Sequence, residues 1–232
     1  RNKLKIRNDN PIVIIFAHAW YDFPHCLNMK NFINFFDWIT LTNSIIKNIK
    51  NINWVFKSHP LESWYGEPKL KDIIEVNHKN IFCLDERIST LSSLINSDYI
   101  VTVFGTVGLE ATIMGKPALI CDYSYYKDWR IGNYAIDRDD YIKKLKKIKS
   151  LNKPNKLQRD LAVAFMYFAF APHDEKKGLL NFYDDYDTIN VHKNALNFTF
   201  KKDTKEYNEA KLLSQWIKSN SRDYSAYVKL ID

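Results

Sequence analysis

Short apolar runs alternate with amphipathic patterns from residue 11 to residue 121, and this alternation constrains the fold more than any other feature of the sequence. The runs have the length and the β-branched or aromatic content of buried strands, and they lie at 11–17, 53–56, 80–84, 98–103 and 117–121. Helical spacing is seen at 31–48, 69–76, 89–96, from 107 onward, and at 139–150, 157–170 and 205–219. Strands that alternate with helices predict the α/β class: a Rossmann-like parallel sheet flanked by helices, with a helical carboxyl-terminal extension.

Two polar motifs directly follow predicted strands. The first is Lys57-Ser58-His59-Pro60, and the second is Gly105-Thr106-Val107-Gly108-Leu109-Glu110. Ligands of open α/β sheets bind at the carboxyl edge of the strands. Glycines let the backbone turn and approach a ligand closely, and a helix that starts near Val107 would direct its first N–H groups at an anion. Together the motifs predict a nucleotide-phosphate pocket.

The side chains of these motifs suggest different contacts with one ligand. His59 can donate to a phosphate oxygen either as a neutral tautomer or as imidazolium, and Pro60 would fix the backbone that aims it. Thr106 offers a hydroxyl, while Glu110 is placed one turn into the helix to accept hydrogen bonds from ribose hydroxyls. The alternative interpretation is that His59-Pro60 forms an ordinary turn and that the glycines serve packing.

A second cluster, His18, Asp22 and His25, lies in the loop after the first strand. That loop opens at the same sheet edge, so a His-Asp pair there could orient donor, acceptor or leaving group. An equally good interpretation makes Asp22 a turn cap and His18 a buried, hydrogen-bonded histidine. Asp122 ends the last predicted strand and could contact the sugar or base, with the aromatic residues of 123–126 available to stack.

Several segments together resemble the carboxyl-terminal half of bacterial capsule and surface-polysaccharide glycosyltransferases of the GT-B type that carry a His-Pro motif. The resemblance is to Kdo transferases and, more distantly, to bacterial sialyltransferases, and it covers roughly residues 11–135. It rests on 14–24, 36–39, the two motifs above and Gly115-Lys116-Pro117. It implies that His59 and Thr106 contact the donor phosphate and that Glu110 holds the ribose or base. The expected donor-binding set is Ser58, His59, Pro60, Gly105, Thr106, Gly108, Glu110 and Asp122.

The resemblance implies transfer of a sugar from a nucleotide sugar, a CMP-sugar such as CMP-Kdo, to a growing capsule or surface polysaccharide. The acceptor would be an oligosaccharide or a glycolipid. Two alternatives stay open: a GT-B-like sugar-nucleotide epimerase, and a non-catalytic interaction module of the polysaccharide machinery. His18 and Asp22 are the catalytic candidates in this sequence. The resemblance implies that the general base normally lies in an amino-terminal GT-B domain, and we expect this sequence to be a fragment without that domain.

We expect no cofactor and no metal ligands. The expectation of metal independence depends on the interpretation that the sequence lacks an Asp-x-Asp element. The predicted domain organisation is a linker or the tail of a preceding domain at 1–10, a Rossmann-like nucleotide-sugar-binding domain at 11–150, and a helical extension packing on it at 151–232.

The chain is modestly basic, with 34 Lys plus Arg against 27 Asp plus Glu. Many lysines lie in the run 141–149, which is either a solvated helix face or a contact for an anionic membrane surface. No nucleic-acid-binding motif accompanies the charge, so we exclude nucleic acid as a partner. With no evident signal peptide and an odd cysteine count, we expect a cytoplasmic location, with peripheral contact at the inner membrane face as an option.

Overall fold

The structure, a computed structural model, describes residues 4, 6, 8–20, 29–66, 68–74 and 79–170. The strands are β1 (Ile12–Phe16), β2 (Asn53–Lys57), β3 (Ile81–Leu84), β4 (Tyr99–Thr102), β5 (Ala118–Ile120) and β6 (Asn133–Tyr134). The helices are α1 (Phe35–Ile46), α2 (Leu70–Ile73), α3 (Thr90–Ile95), α4 (Val107–Ile113), α5 (Arg138–Lys146) and α6 (Lys156–Phe170). Short 3-10 turns lie at Glu62–Tyr65, Lys127–Trp129 and Ile148–Ser150.

The strands form one parallel sheet in the order β3-β2-β1-β4-β5-β6. The chain first winds outward from β1 to β3 and then returns to the other side of β1 with β4. The strand order therefore reverses between β1 and β4, and the carboxyl edge at that point is where doubly wound sheets bind ligands. The predicted Rossmann-like class is confirmed.

Both faces of the sheet are covered, which explains why β1 is a continuous apolar run rather than an alternating one. Val13 and Ile15 pack in the core formed with α1 and α5, whereas Ile12, Ile14 and Phe16 pack on the opposite face with α3 and α4. All five residues of β1 are buried. The strand ends are consequently held in fixed positions by packing from both sides.

The helix caps agree with the local sequence. The predicted cap Ser89 accepts a hydrogen bond from the Ser92 N–H at 3.1 Å, and Asn34 accepts one from the Asp37 N–H at 2.8 Å. The observed helices begin or end within a few residues of the predicted limits. β6 was not predicted, because a two-residue strand carries no apolar period of its own and is defined by its pairing with β5.

The compact unit that contains the sheet continues to Phe170. Helix α6, which the sequence assigned to the extension, packs on α4, and its Ala162 shares a buried cluster with Leu109. At the other end, Ile6 is buried against the α3–α4 side of the sheet. The helix predicted at 205–219 lies outside the described residues. Among the helices that the structure describes, none is long and apolar enough to cross a membrane.

Candidate functional site

A cavity of about 340 Å³ opens at the carboxyl edge, at the point where the strand order reverses between β1 and β4. The loops after β1, β2 and β4 supply most of its wall, and the first turns of α3 and α4 complete it. The lining residues that the sequence predicted for the site are His18, Ser58, His59, Pro60, Gly105, Thr106 and Glu110. The structure thus brings the two motifs together around one cavity, although Pro60 and Thr106 are 46 residues apart in sequence.

His59 is oriented by its own loop. The Leu61 N–H donates a hydrogen bond to His59 Nδ1 at 3.2 Å, and the Glu62 N–H donates to the His59 carbonyl at 3.0 Å. Because Nδ1 accepts, Nε2 is the ring nitrogen that can donate to a ligand. This is the donor role that the sequence predicts for His59.

Lys57 lies beneath this loop with only 1% of its surface exposed. Its Nζ donates to the carbonyl oxygens of Ser58 at 2.7 Å and Glu86 at 3.2 Å. Burial lowers the pKa of Lys57 from its ordinary value, and the nearby carboxylates of Asp85 and Glu62 oppose that shift. The side chain therefore joins the loop after β2 to the loop after β3 and places a cationic group behind the cavity.

The glycine loop is crowded on its inner side. The Gly105 N–H donates to Thr102 Oγ1 at 3.3 Å, and the Gly105 carbonyl accepts from the Tyr126 hydroxyl at 2.8 Å. A Cβ on Gly105 would lie 3.1 Å from Thr102 Oγ1 and 3.4 Å from His18 Cε1. A Cβ on Gly108 would overlap the Tyr126 hydroxyl. Gly108 is thus required by the close approach of Tyr126, whereas a side chain at Gly105 would need its neighbours to move slightly, and neither glycine has positive φ.

Thr106 and Glu110 contact each other. The Thr106 hydroxyl donates to Glu110 Oε1 at 3.2 Å, with Thr106 exposed and Glu110 half-buried. Helix α4 begins at Val107, as predicted, but it has only seven residues. Tyr125 completes this wall, with 49% of its surface exposed. Burial of its hydroxyl, and then the charge of Glu110, raises the pKa of Tyr125 to about 12.

His18 lies at the inner wall between aromatic rings. It stacks on Phe35 with ring centroids 4.7 Å apart and contacts Phe104 at 4.8 Å. Its Nε2 is 3.4 Å from Thr102 Oγ1, the atom that also accepts from the Gly105 N–H. Burial, and then the charge of His59, lowers the pKa of His18 to about 3. A histidine with that pKa is neutral and a weak base at neutral pH.

Asp122 is not among the residues that line the cavity. Its side chain is 2% exposed, and its carboxylate accepts hydrogen bonds from the N–H groups of Lys30, Asn31 and Tyr123 at 2.6–3.1 Å. These bonds tie the loop before α1 to the loop after β5, which is a structural task. Asp22 and His25 lie outside the described residues, so their predicted roles stay predictions.

The interpretation that the chain lacks an Asp-x-Asp element is wrong. The sequence contains Asp137-Arg138-Asp139, and also Asp185-Tyr186-Asp187, which lies outside the described residues. Asp137 caps α5 by accepting from the Asp140 N–H at 2.8 Å. In the part of the chain that the structure describes, no group of three or more His, Cys, Asp or Glu side chains could hold a metal ion.

Several lining residues were not assigned a role from the sequence, namely Lys57, Thr90, Thr102 and Phe104, whereas Tyr125 belongs to the aromatic residues expected to stack on a ligand. Of these residues, only Lys57 could have been recognised from the sequence, because a charged residue that ends a buried strand needs polar partners. The contacts of the others depend on loops from different strands.

No protein-family model matches the sequence, and no curated protein matches it. Among solved structures, the chain is similar to the β-Kdo 2,4 transferase KpsC of Thermosulfurimonas dismutans, with 14% identity, a TM-score of 0.48, and coverage of 69% of this chain and 46% of that one. The putative UDP-N-acetylglucosamine 2-epimerase of Listeria monocytogenes gives 17% identity, a TM-score of 0.42, and coverage of 70% and 46%. The wall teichoic acid polymerase TagF gives 17% identity and a TM-score of 0.45, with coverage of 87% of this chain and 47% of that one. The chain spans under half the length of each of these proteins.

Proposed function

We propose that this chain is the donor-binding half of a GT-B-type glycosyltransferase, which moves a sugar from a CMP-sugar such as CMP-Kdo to a capsule or surface polysaccharide at the cytoplasmic side of the membrane. The observation that carries the proposal is the cavity at the reversal of strand order, where His59, Thr106 and Glu110 meet. The sequence resemblance over residues 11–135 supports the same activity.

The shape and chemistry of the cavity suit a nucleoside monophosphate group. Its volume of about 340 Å³ lies at the lower end of the range for small-molecule sites. The groups suited to a phosphate, His59 and Thr106, line the same cavity as Lys57. Glu110 accepts rather than donates, so it suits a hydroxyl-rich ribose better than a phosphate. One phosphate and one ribose account for these groups.

In the proposed reaction an acceptor hydroxyl oxygen attacks the anomeric carbon as the bond from that carbon to the phosphate oxygen breaks. The bonding electrons leave with the phosphate, and the hydroxyl proton passes to a general base. A hydrogen bond from His59 Nε2–H would strengthen as charge develops on the leaving phosphate. The Thr106 hydroxyl would add a second bond only after giving up its bond to Glu110. His18, with its lowered pKa, is a poor general base, which leaves Asp22 or a residue of an amino-terminal half for that role.

Calorimetry on the 232-residue chain with CMP, UMP, CDP, UDP and cytidine tests the proposal. We expect CMP to bind and His59→Ala to weaken it by roughly 10-fold to 150-fold, the equivalent of about 1.5–3 kcal/mol for a hydrogen bond to a charged group. CMP affinity equal to wild type in a folded His59→Ala variant would remove the phosphate assignment.

Two further substitutions test the division of contacts. Thr106→Val should weaken CMP but not cytidine, whereas Glu110→Gln should weaken both, since only the ribose is common to the two ligands. Their effects on CMP should not add, because the two side chains are hydrogen-bonded to each other. Thr40→Val, at an exposed threonine on α1, is the matched control and should bind like wild type.

Product analysis separates the proposed transferase from the alternatives. A longer protein, in which an amino-terminal half precedes this chain, should release CMP with transfer of the sugar to an acceptor, while the 232-residue chain alone binds the donor and transfers little. An epimerised nucleotide sugar would favour the epimerase, and binding without any turnover would favour the interaction module.

A further inference from the structure

Two lysine ammonium groups lie over one tyrosine ring at the carboxyl edge of the sheet. Lys30 Nζ is 4.9 Å from the centroid of the Tyr123 ring, and Lys127 Nζ is 5.2 Å from the same centroid. The ring itself is 38% exposed. Cation–π attraction holds each ammonium near the ring but does not neutralise its charge. The arrangement therefore concentrates two positive charges on one small exposed surface.

The backbone around these groups is firmly anchored. Asp122 accepts hydrogen bonds from the backbone N–H groups of Lys30 and Tyr123, and the Asn31 side chain donates to the Cys121 carbonyl at 2.8 Å. The Lys127 N–H donates to the Ser124 carbonyl at 3.0 Å. Both lysines thus project from fixed loops, and little backbone ordering remains to be done when a ligand binds.

Within the described ranges, neither lysine has a carboxylate at ion-pair distance. The Asp122 carboxylate accepts from the backbone N–H groups of Lys30, Asn31 and Tyr123, so its oxygens are already engaged. The exposed side chain of Asp128 follows Lys127 in sequence. An anion that reached this surface would meet two like charges and an aromatic face, a combination that suits an acidic sugar.

This surface is close to the cavity described above. Asp122 pairs through its N–H with the Val103 carbonyl at 3.1 Å, directly before the loop that holds Phe104 and Gly105. Tyr125, two residues beyond Tyr123, lines the cavity. We propose that Lys30 and Lys127 form an anion-binding subsite beside the nucleotide cavity, which receives a carboxylate or phosphate carried by a sugar substrate. The sugar assignment rests on the proposed function.

Calorimetry with the 232-residue chain tests the subsite with three probes: tetragalacturonate for carboxylates, a glycerol phosphate oligomer for phosphates, and maltotetraose as the neutral sugar. Wild type should bind at least one acidic probe more tightly than maltotetraose. Lys30→Gln with Lys127→Gln should weaken that binding by about tenfold or more, the scale of one charge-assisted hydrogen bond. Added salt should weaken wild type more than the double variant.

The matched control is Lys143→Gln with Lys146→Gln, which makes the same change in net charge at exposed positions of α5. Equal losses in the two double variants, or no binding of either acidic probe to wild type, would overturn the subsite.

CMP binding serves as the second readout and should be the same in wild type and in Lys30→Gln/Lys127→Gln. A parallel loss of CMP binding would mean a disturbed fold and would also count against the proposal. The wild-type chain could also bind an acidic probe through both lysines and yet bind no nucleotide. That result would support the subsite and contradict the proposed function.

Discussion

Gly108 has no room for a side chain, and its replacement by alanine should disturb both stability and the site. An added Cβ would overlap the Tyr126 hydroxyl and lie 3.3 Å from Ile120 Cδ1. The Ile120 side chain can move slightly, but Tyr126 is fully buried and its hydroxyl donates to the Gly105 carbonyl. Relief of the overlap must therefore move the ring or the glycine loop.

The net effect follows from three contributions to the free energy of unfolding. Alanine in a helix gains about 1 kcal/mol over glycine. Overpacking a core position costs about 1–3 kcal/mol. Loss of the bond from Tyr126 to Gly105 costs about 1 kcal/mol more. Gly108→Ala should therefore lower the free energy of unfolding by about 1–3 kcal/mol, and it should weaken CMP binding because the Gly105–Thr106 loop moves.

Urea denaturation followed by tryptophan fluorescence measures the effect, and Tyr126→Phe provides the matched background. Without the hydroxyl there is little left to overlap, so Gly108→Ala should cost nothing or even stabilise the chain in that background. We expect a coupling energy of about 1–4 kcal/mol between the two sites, the difference between the costs in the two backgrounds. An identical cost of Gly108→Ala in both backgrounds would refute the steric argument.

Three other substitutions give distinct signatures. His18→Phe should retain the aromatic stack and remove a pH dependence of stability. In the unfolded chain His18 takes up a proton below its ordinary pKa of 6.5, whereas in the folded chain, where its pKa is about 3, it stays neutral at pH 5. From pH 7 to pH 5, wild type should therefore lose about 2 kcal/mol of stability relative to the variant. Equal slopes in urea midpoints would contradict this. Asp37→Asn breaks a two-bond pair with Arg138, 2.8 and 2.9 Å long, and should cost about 1 kcal/mol because the pair is partly exposed; the exposed Asp139→Asn is the control and should cost nothing measurable. Lys57→Met should reduce CMP affinity about tenfold. Its stability should change by less than about 2 kcal/mol, because removal of a buried charge offsets the lost hydrogen bonds. Unchanged CMP affinity together with a large loss of stability would show that Lys57 is purely structural.

The local features of the fold were predictable because they depend on neighbours in sequence. The apolar run of β1, the Ser89 cap and the start of α4 at Val107 are examples. The sheet edge that gathers His59 and Thr106 was predictable too, since parallel strands end at a common edge.

The rest depends on contacts between distant segments. Asp122 was assigned to a ligand because it ends a strand, but its actual partners, Lys30 and Asn31, lie 92 and 91 residues away in sequence. The aromatic surroundings of His18 combine α1 with the loop after β4, and no pattern within a short window reports that packing. The lysines over Tyr123 come from different loops for the same reason.

The buried Lys57 side chain has a consequence for local opening of the molecule. It joins the carbonyls of Ser58 and Glu86, and the Ser63 N–H donates to the Glu86 carboxylate at 2.7 Å. These bonds connect the loop after β2 to the loop after β3, so we expect the two loops to open together. In hydrogen exchange, the amides of Ser58 and Ser63 should show the same opening free energy, and bound nucleotide should slow both together.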